Sequence, residues 1–306
     1  MSDVKLAARV ARAALGRDPG PLVATDSLSH HVYIGADVVV KLIDAAGHSR
    51  LDREIALVPG LPGGLTAPLL ASGVHTVDGR DVRYACYTRA PGAALGMGMP
   101  GAGAATVRSM AEQAVRRLGA LHQWVPAGEA AQVLREPLEH GGFVSRAGLF
   151  AEIEGLAAAD REGAVPARLL DGLTAIAQHA PAQARVAVPV HADCHWGNWL
   201  AADGQLTALL DFEWARFGDP LDDWFYVIAD SSGHLEIALE VVAGETGIAA
   251  DVLRAECEVR EATYLASDIR LALTEPTVHG WLLAQRLSRL ESLIVDRLWW
   301  SAVPGR

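Results

Sequence analysis

Residues 190–224 read V-H-A-D-C-H-W-G-N-W-L-A-A-D-G-Q-L-T-A-L-L-D-F-E-W-A-R-F-G-D-P-L-D-D-W. The stretch opens on a short apolar run and sets His191, Asp193, His195 and Asn198 in a tight polar loop. It then passes through the largely apolar Leu206 to Leu210 into a second carboxylate, Asp211. Loop, strand and acid in that order carry two carboxylates and an amide on neighbouring loops. Magnesium takes hard oxygen ligands, keeps several waters and is usually held by one or two protein oxygens plus substrate phosphates. Asn198 and Asp211 fit as those oxygens. Asp193, five residues before Asn198, suits a carboxylate that orients an incoming hydroxyl and accepts its proton. A rival reading gathers His191, Asp193, Cys194 and His195 around zinc, which favours His and Cys ligands. Alternate loop residues rarely converge on one ion, and His191 reads better as a brace for the loop backbone.

Taken in order, H-x-D-x-x-x-x-N, D-F-E and G-D-P-x-x-D resemble the signature of the aminoglycoside phosphotransferase family, small-molecule kinases that share the protein-kinase fold. The matching residues are His191, Asp193 and Asn198, then Asp211, Phe212 and Glu213, then Gly218, Asp219, Pro220 and Asp223. Ala192 departs from the pattern, since the family usually has Gly there. The resemblance implies an α+β, two-lobed protein-kinase-like fold. A small N-terminal β-sheet lobe, residues 1–90, would bind nucleotide, and a larger, mostly helical C-terminal lobe, residues 91–306, would hold the catalytic and acceptor groups. It also implies ATP or GTP as phosphate donor, with Mg2+.

The N-terminal third supplies counterparts for the nucleotide side. Residues 3–15 read as a helix ending near Gly16, and strands bracket the turn D-S-L-S-H-H. Protein kinases cover their nucleotide with G-x-G-x-x-G, which is missing here. The family's Ser-containing replacement makes D-S-L-S-H-H-V-Y its counterpart, with Ser27 or Ser29 and backbone N–H groups facing phosphate oxygens. Lys41 ends the apolar run Val38-Val39-Val40 and is one of only two lysines in the chain. A compact ammonium on a flexible stem suits phosphate. The segment after Ser49 has Leu51, Ile55 and Val58 at helical spacing, and the resemblance makes Glu54 on that helix the partner of Lys41, with Asp52 as the fallback. T-R-A-P-G resembles the hinge, where backbone groups near Thr88 to Ala90 would meet a purine edge and Tyr87 would back the pocket.

Composition narrows the partners. The chain has 306 residues and a formal net charge of -11. Residues 1–90 carry ten Lys or Arg against nine Asp or Glu, whereas residues 91–306 carry sixteen against twenty-eight. A field of that sign repels nucleic acid and anionic membranes and concentrates cations. No apolar run approaches the eighteen residues of a membrane span, and the N-terminus lacks a secretory pattern, so a cytoplasmic protein is expected. Three scattered cysteines argue against a disulfide framework.

In the C-terminal part, helices are expected at 104–124, 146–160, 167–179, 234–246, 251–273 and 278–300, with Trp281, Gln285, Leu290 and Ile294 lining the last. Leu121-His122 resembles the family's L-H, with His122 read as structural. The expected acceptor is small and cationic, an aminoglycoside or another polycationic antibiotic first. Glu213, Asp222, Glu261 and Asp268 are the candidate carboxylates for its ammonium groups. Asp219 and Asp223 read as structural. A monomer or homodimer is expected. Kinases of macrolides, choline, homoserine or sugars remain open, as does a catalytically silent nucleotide-binding module on the same fold.

Overall fold

The computed structural model describes residues 3–25, 27, 30–46, 50–77, 79–138 and 142–301. Ala7, Val10 and Ala11 recur at helical spacing along the first helix, α1 (Asp3–Leu15), and are fully buried. They cover one face of a five-stranded antiparallel sheet built from β1 (Val23–Thr25), β2 (His31–Ile34), β3 (Val38–Asp44), β4 (Leu69–Val77) and β5 (Arg80–Thr88) in the order β1-β2-β3-β5-β4. Strand side chains alternate faces. Val38, Val40 and Leu42 of β3 therefore pack under α1, while Lys41 and Ile43 face the other way. On that second face lies helix α2 (Arg50–Leu57), whose Leu51, with Val58 just beyond its end, forms a small core with Ala67, Ala85 and Tyr87.

Past β5 the chain turns at Pro91-Gly92 into the short strand β6 (Ala93–Ala94). Gly92 has φ +97°, and a Cβ there would sit 2.1 Å from the Ala201 carbonyl oxygen. Only glycine admits that approach.

The remainder is mostly helical. Helices α3 (Ala104–Gln123), α4 (Gly128–Val133), α5 (Arg146–Ala159) and α6 (Ala167–His179) precede the segment 188–229. That segment holds β7 (Val188–Val190), β8 (Trp199–Ala202), β9 (Gln205–Leu209) and β10 (Arg216–Gly218), followed by α7 (Leu221–Ala229). The chain closes with α8 (Leu235–Thr246), α9 (Ala250–Thr274), α10 (Pro276–His279) and α11 (Leu283–Ile294). A single large core joins α3 and α5–α9 to Trp196, Trp199, Phe212 and Trp299. It also takes in Leu57 and Leu65 from the N-terminal third, so the two lobes proposed to meet near residue 90 share apolar surface.

Two antiparallel pairings build the segment 188–218. Strands β8 and β9 form a hairpin across Asp203-Gly204, both with positive φ, the conformation that Asp-Gly favours in a two-residue turn. Strand β7 pairs with β10, Val188 opposite Gly218. A Cβ on Gly218 would lie 2.7 Å from Val190 Cγ2, which accounts for the glycine of G-D-P.

Three expectations need revising. Helices α4 and α7 were not anticipated. The helix expected at 278–300 is instead the short α10, a 3-10 turn and α11, which ends at Ile294. Trp281 does not line a packed face, being 66% exposed on that 3-10 turn. Pro276 begins α10, and this interrupts the run from α9.

Candidate active site

Because Lys41 alternates away from the α1 core, its ammonium reaches two carboxylates at once. Nζ donates to Glu54 Oε2 at 2.7 Å and to Asp211 Oδ1 at 2.9 Å. Glu54 comes from α2, one turn after Leu51, and is 4% exposed. Asp52, on the other side of α2, pairs with Arg83 instead. Burial opposes the charge on Lys41, yet the adjacent Glu54 and Asp211 outweigh it and lift the ammonium above its ordinary range. Asp211 is pushed up by burial but drawn further down by Lys41, and stays ionised. Tyr87 backs this group, its ring centroid 5.9 Å from Nζ.

Asp211 follows β9 in the left-handed region, at φ 71° and ψ 61°. A 3-10 turn, Phe212–Trp214, comes next. The loop before β8 is tied to the same place. Asn198 N–H donates to the His195 carbonyl at 2.9 Å, and the Asn198 carbonyl accepts from Leu210 N–H at 2.8 Å. Asn198 and Asp211 are thus held one residue apart across a backbone hydrogen bond. Asn198 Nδ2 donates to the Asp193 carbonyl at 2.8 Å and lies 3.4 Å from Asp193 Oδ2. Its side-chain oxygen, Oδ1, is the atom left for a cation.

Asp223 braces this loop from the first turn of α7. It is fully buried and accepts from His191 N–H at 3.0 Å and Ala192 N–H at 2.7 Å, with His122 Nε2 2.9 Å away. Burial raises its pKa, but the His122 hydrogen bond leads a group of partners that bring it below the ordinary value. His191 Nε2 lies 2.9 Å from the Leu210 carbonyl, and Asp193 N–H donates to His191 Nδ1. These bonds commit His191 to the backbone. The Cys194 thiol is buried against Asp223, and Cys86 and Cys257 are likewise buried and free. The zinc arrangement around His191 and Cys194 does not form.

Ala192, where the pattern expects glycine, has φ +64°. The left-handed conformation explains the glycine preference, since a Cβ there costs roughly 1–2 kcal/mol. The Ala192 N–H and that of His191, both donated to Asp223, hold it in place.

Asp193 is the chemically distinctive group. Burial first, then the charges of Asp211 and Glu213, raise its pKa well above the ordinary carboxylate value, against the opposing hydrogen bond from Asn198. Asp230 adds to the same repulsion. Crowded negative charge of this kind fits a divalent cation, and Asn198 and Asp211 supply oxygens of the type magnesium takes. Glu213 is 4% exposed, and burial with the Asp211 charge pushes it up to about 7.

The other anticipated residues are placed as follows. Ser27 is exposed on the connection from β1 to β2; Ser29 lies outside the described residues. Thr88 N–H is taken by the Pro68 carbonyl at 2.9 Å and Arg89 N–H by the Asp37 carbonyl at 3.0 Å. Ala90 is the next residue, half-buried at the strand end. Asp222 is buried between Arg216 and Arg260, each at 2.9 Å. Glu261 is buried against Arg289 and accepts from the Trp299 indole at 2.6 Å. Asp268 pairs with Arg286 at 2.7 Å. The structure therefore gathers Lys41, Glu54, Asp193, Asn198, Asp211 and Glu213, and engages Asp222, Glu261 and Asp268 with arginines elsewhere. Sequence reasoning missed Asp230, which accepts from Trp196 N–H at 2.7 Å and Gly98 N–H at 3.1 Å. Its burial raises it to about 6. No motif marks it, and only its position at the end of α7 brings it beside the loop.

A search of curated proteins finds no match. Solved structures do match in fold. Aminoglycoside 2'-phosphotransferase-IIIa, in its GDP complex, superposes with a TM-score of 0.76 at 18% identity, covering 97% of this chain and 100% of that one. A thermostable mutant of aminoglycoside phosphotransferase APH(4)-Ia, in a ternary complex with AMP-PNP and hygromycin B, gives 0.62 at 17% identity, covering 97% and 99%. Macrolide 2'-phosphotransferase MphH from Brachybacterium faecium, as the apoenzyme, gives 0.63 at 22% identity, covering 92% and 97%. A family model described as the phosphotransferase enzyme family matches residues 25–263. With that match spanning most of the chain and the fold shared throughout, the protein belongs to the phosphotransferase enzyme family.

Proposed function

We propose that this phosphotransferase moves the γ-phosphoryl group of ATP or GTP to a hydroxyl of a small cationic molecule, an aminoglycoside or another polycationic antibiotic first. Antibiotic resistance by phosphorylation would follow. The observation that carries the reading is the bridge from Lys41 to Glu54 and Asp211, set beside Asp193. Phosphoryl transfer is mostly positioning and charge stabilisation, and each requirement has a group here. Lys41, aimed by Glu54, neutralises phosphate charge. Asp193 orients the acceptor hydroxyl and takes its proton, a task helped by a pKa that burial and the neighbouring acids raise well above the ordinary carboxylate value. Asn198 and Asp211 are the groups that would hold magnesium, which when bound screens the phosphate oxygens. Ser27, exposed between β1 and β2, would face the phosphates, and the backbone around Thr88 to Ala90 would meet the base. Residues 1–90 and 91–306 would then be the nucleotide and the catalytic lobes.

A cationic acceptor is supported by the carboxylates around the transfer point. Asp193 lies in the field of Asp211, Glu213 and Asp230, which attracts an ammonium group. Asp222, Glu261 and Asp268 already hold arginines, so acceptor selection falls to groups nearer Asp193. Among the described residues no helix is long and apolar enough to cross a membrane. Nucleotide consumption measured across aminoglycosides, macrolides and small amino alcohols, with product mass confirmed and Asp211→Asn alongside, tests the reading. Transfer to a cationic acceptor, lost in the variant, is expected. Tight nucleotide binding without transfer to any acceptor would indicate a silent binding module.

A further inference from the structure

Among the described residues one trio of metal-ligating side chains converges: His30, Asp211 and Glu213 each offer one atom within 4.8 Å of the others. His30 is 6% and Glu213 4% exposed. They come from distant parts of the chain, His30 immediately before β2 and the two acids from the turn after β9. His30 Nε2 stands 3.7 Å from Glu213 Oε2, beyond hydrogen-bonding range. Glu213 Oε2 is buried and has no hydrogen-bond partner, an expensive state for a carboxylate oxygen. Neighbouring cations do not remove that cost. Arg50 approaches the other oxygen, Oε1, at 3.5 Å, and Lys41 holds Asp211 by Oδ1. One oxygen of each acid therefore remains for an ion between them and the imidazole.

We propose that His30, Asp211 and Glu213 form a binding site for a divalent transition metal of the zinc class. The imidazole decides the class. Magnesium prefers oxygen ligands and near-octahedral geometry, whereas an imidazole with two carboxylates suits zinc, cobalt or nickel, with a fourth position open to solvent or phosphate. Such an ion fastens the β1–β2 hairpin to the turn carrying Asp211. It also takes Asp211 away from magnesium, so zinc occupancy and magnesium-nucleotide binding compete. That competition rests on the phosphotransfer reading; the site does not.

The test is binding of Zn2+ alone to the nucleotide-free full-length protein, with Co2+ absorption as a second readout. One equivalent should bind, and Co2+ should give the visible bands of a low-coordinate site with a nitrogen ligand. His30→Ala and Glu213→Gln should each weaken binding at least about tenfold and lose those bands. Replacing the adjacent, exposed His31 by Ala should change neither. Melting curves identify any variant that fails to fold, and His30→Asn then serves for His30→Ala. Absence of stoichiometric Zn2+ binding by the folded wild type, or equal affinity in His30→Ala, would overturn the site. Stoichiometric Zn2+ binding with no phosphoryl transfer to any acceptor would uphold it while sinking the kinase reading. Stoichiometric binding that Mg2+ and ADP fail to displace would uphold it but remove the competition.

Discussion

The carboxylates of the catalytic turn and those of the surrounding helices share a charge but not a fate. Asp193, Asp211 and Glu213 crowd together with one lysine and a more distant Arg50 between them. Asp222, Glu261 and Asp268 each carry an arginine at salt-bridge distance. The first group is left with unbalanced negative charge, which raises the proton affinity of Asp193 and Glu213 while Lys41 keeps Asp211 ionised; every member of the second is matched by arginine. The acidity of residues 91–306 is thus a poor guide to where a cation binds, because the position of the arginines decides which acids are available.

The largest expected effect comes from the residue that makes the catalytic turn possible. Asp223→Ala would leave the His191 and Ala192 N–H groups and the His122 ring without their shared acceptor. Urea denaturation should show a loss of roughly 3–5 kcal/mol. A loss below about 1 kcal/mol, the size of an ordinary hydrogen bond, would mean that the turn is held by other contacts. The arginine-bound set sharpens the comparison. Asp222→Asn removes the charge held between the part-buried Arg216 and the buried Arg260 and should lower stability by roughly 2–4 kcal/mol, while leaving the acceptor KM within about twofold. A tenfold rise in KM with unchanged stability would return Asp222 to the acceptor site.

Much of the catalytic turn was legible because its spacing encodes backbone geometry. The four residues between Asp193 and Asn198 close a turn whose carbonyls and amides bond one another, and G-D-P-x-x-D places Asp223 under the same turn. Lys41 was readable from its place after the apolar run Val38-Val39-Val40 and Glu54 from helical spacing, both together with the family resemblance. The acceptor side was not readable. Whether Glu261 meets a ligand or Arg289 depends on how α9 packs on α11, which no local pattern in either helix records. Helix α7 was hidden for a related reason. Its first turn, Asp222-Asp223, reads as part of a polar motif, yet those acids suit the positive end of a helix.

Asp230 provides a pH-dependent test between the two groups. Its folded value of about 6 lies above the ordinary 3.8, so the folded state binds its proton more tightly than the unfolded chain. The resulting stabilisation is complete below about pH 4 and is lost as pH rises through 6, a contribution of roughly 2–3 kcal/mol. The difference in stability between wild type and Asp230→Asn, followed by thermal or urea unfolding from pH 4 to 7, should shrink in that direction. A difference independent of pH would place Asp230 with the neutralised acids. The smallest effect is expected at Ala192, whose φ of +64° glycine adopts freely. Ala192→Gly should raise stability by up to about 1 kcal/mol. A destabilised variant would show that the Ala192 methyl is needed in the turn.

Lys41, Asp193, Asn198 and Asp211 are proposed to serve one transfer event. Single-turnover transfer from a γ-labelled nucleotide to an accepted substrate, measured in Asp193→Asn together with nucleotide affinity, tests it most directly. Nucleotide affinity should stay within about threefold of wild type while the transfer rate falls about 10²–10⁴-fold. Transfer at the wild-type rate would contradict the role given to Asp193 and, with it, the account of the site.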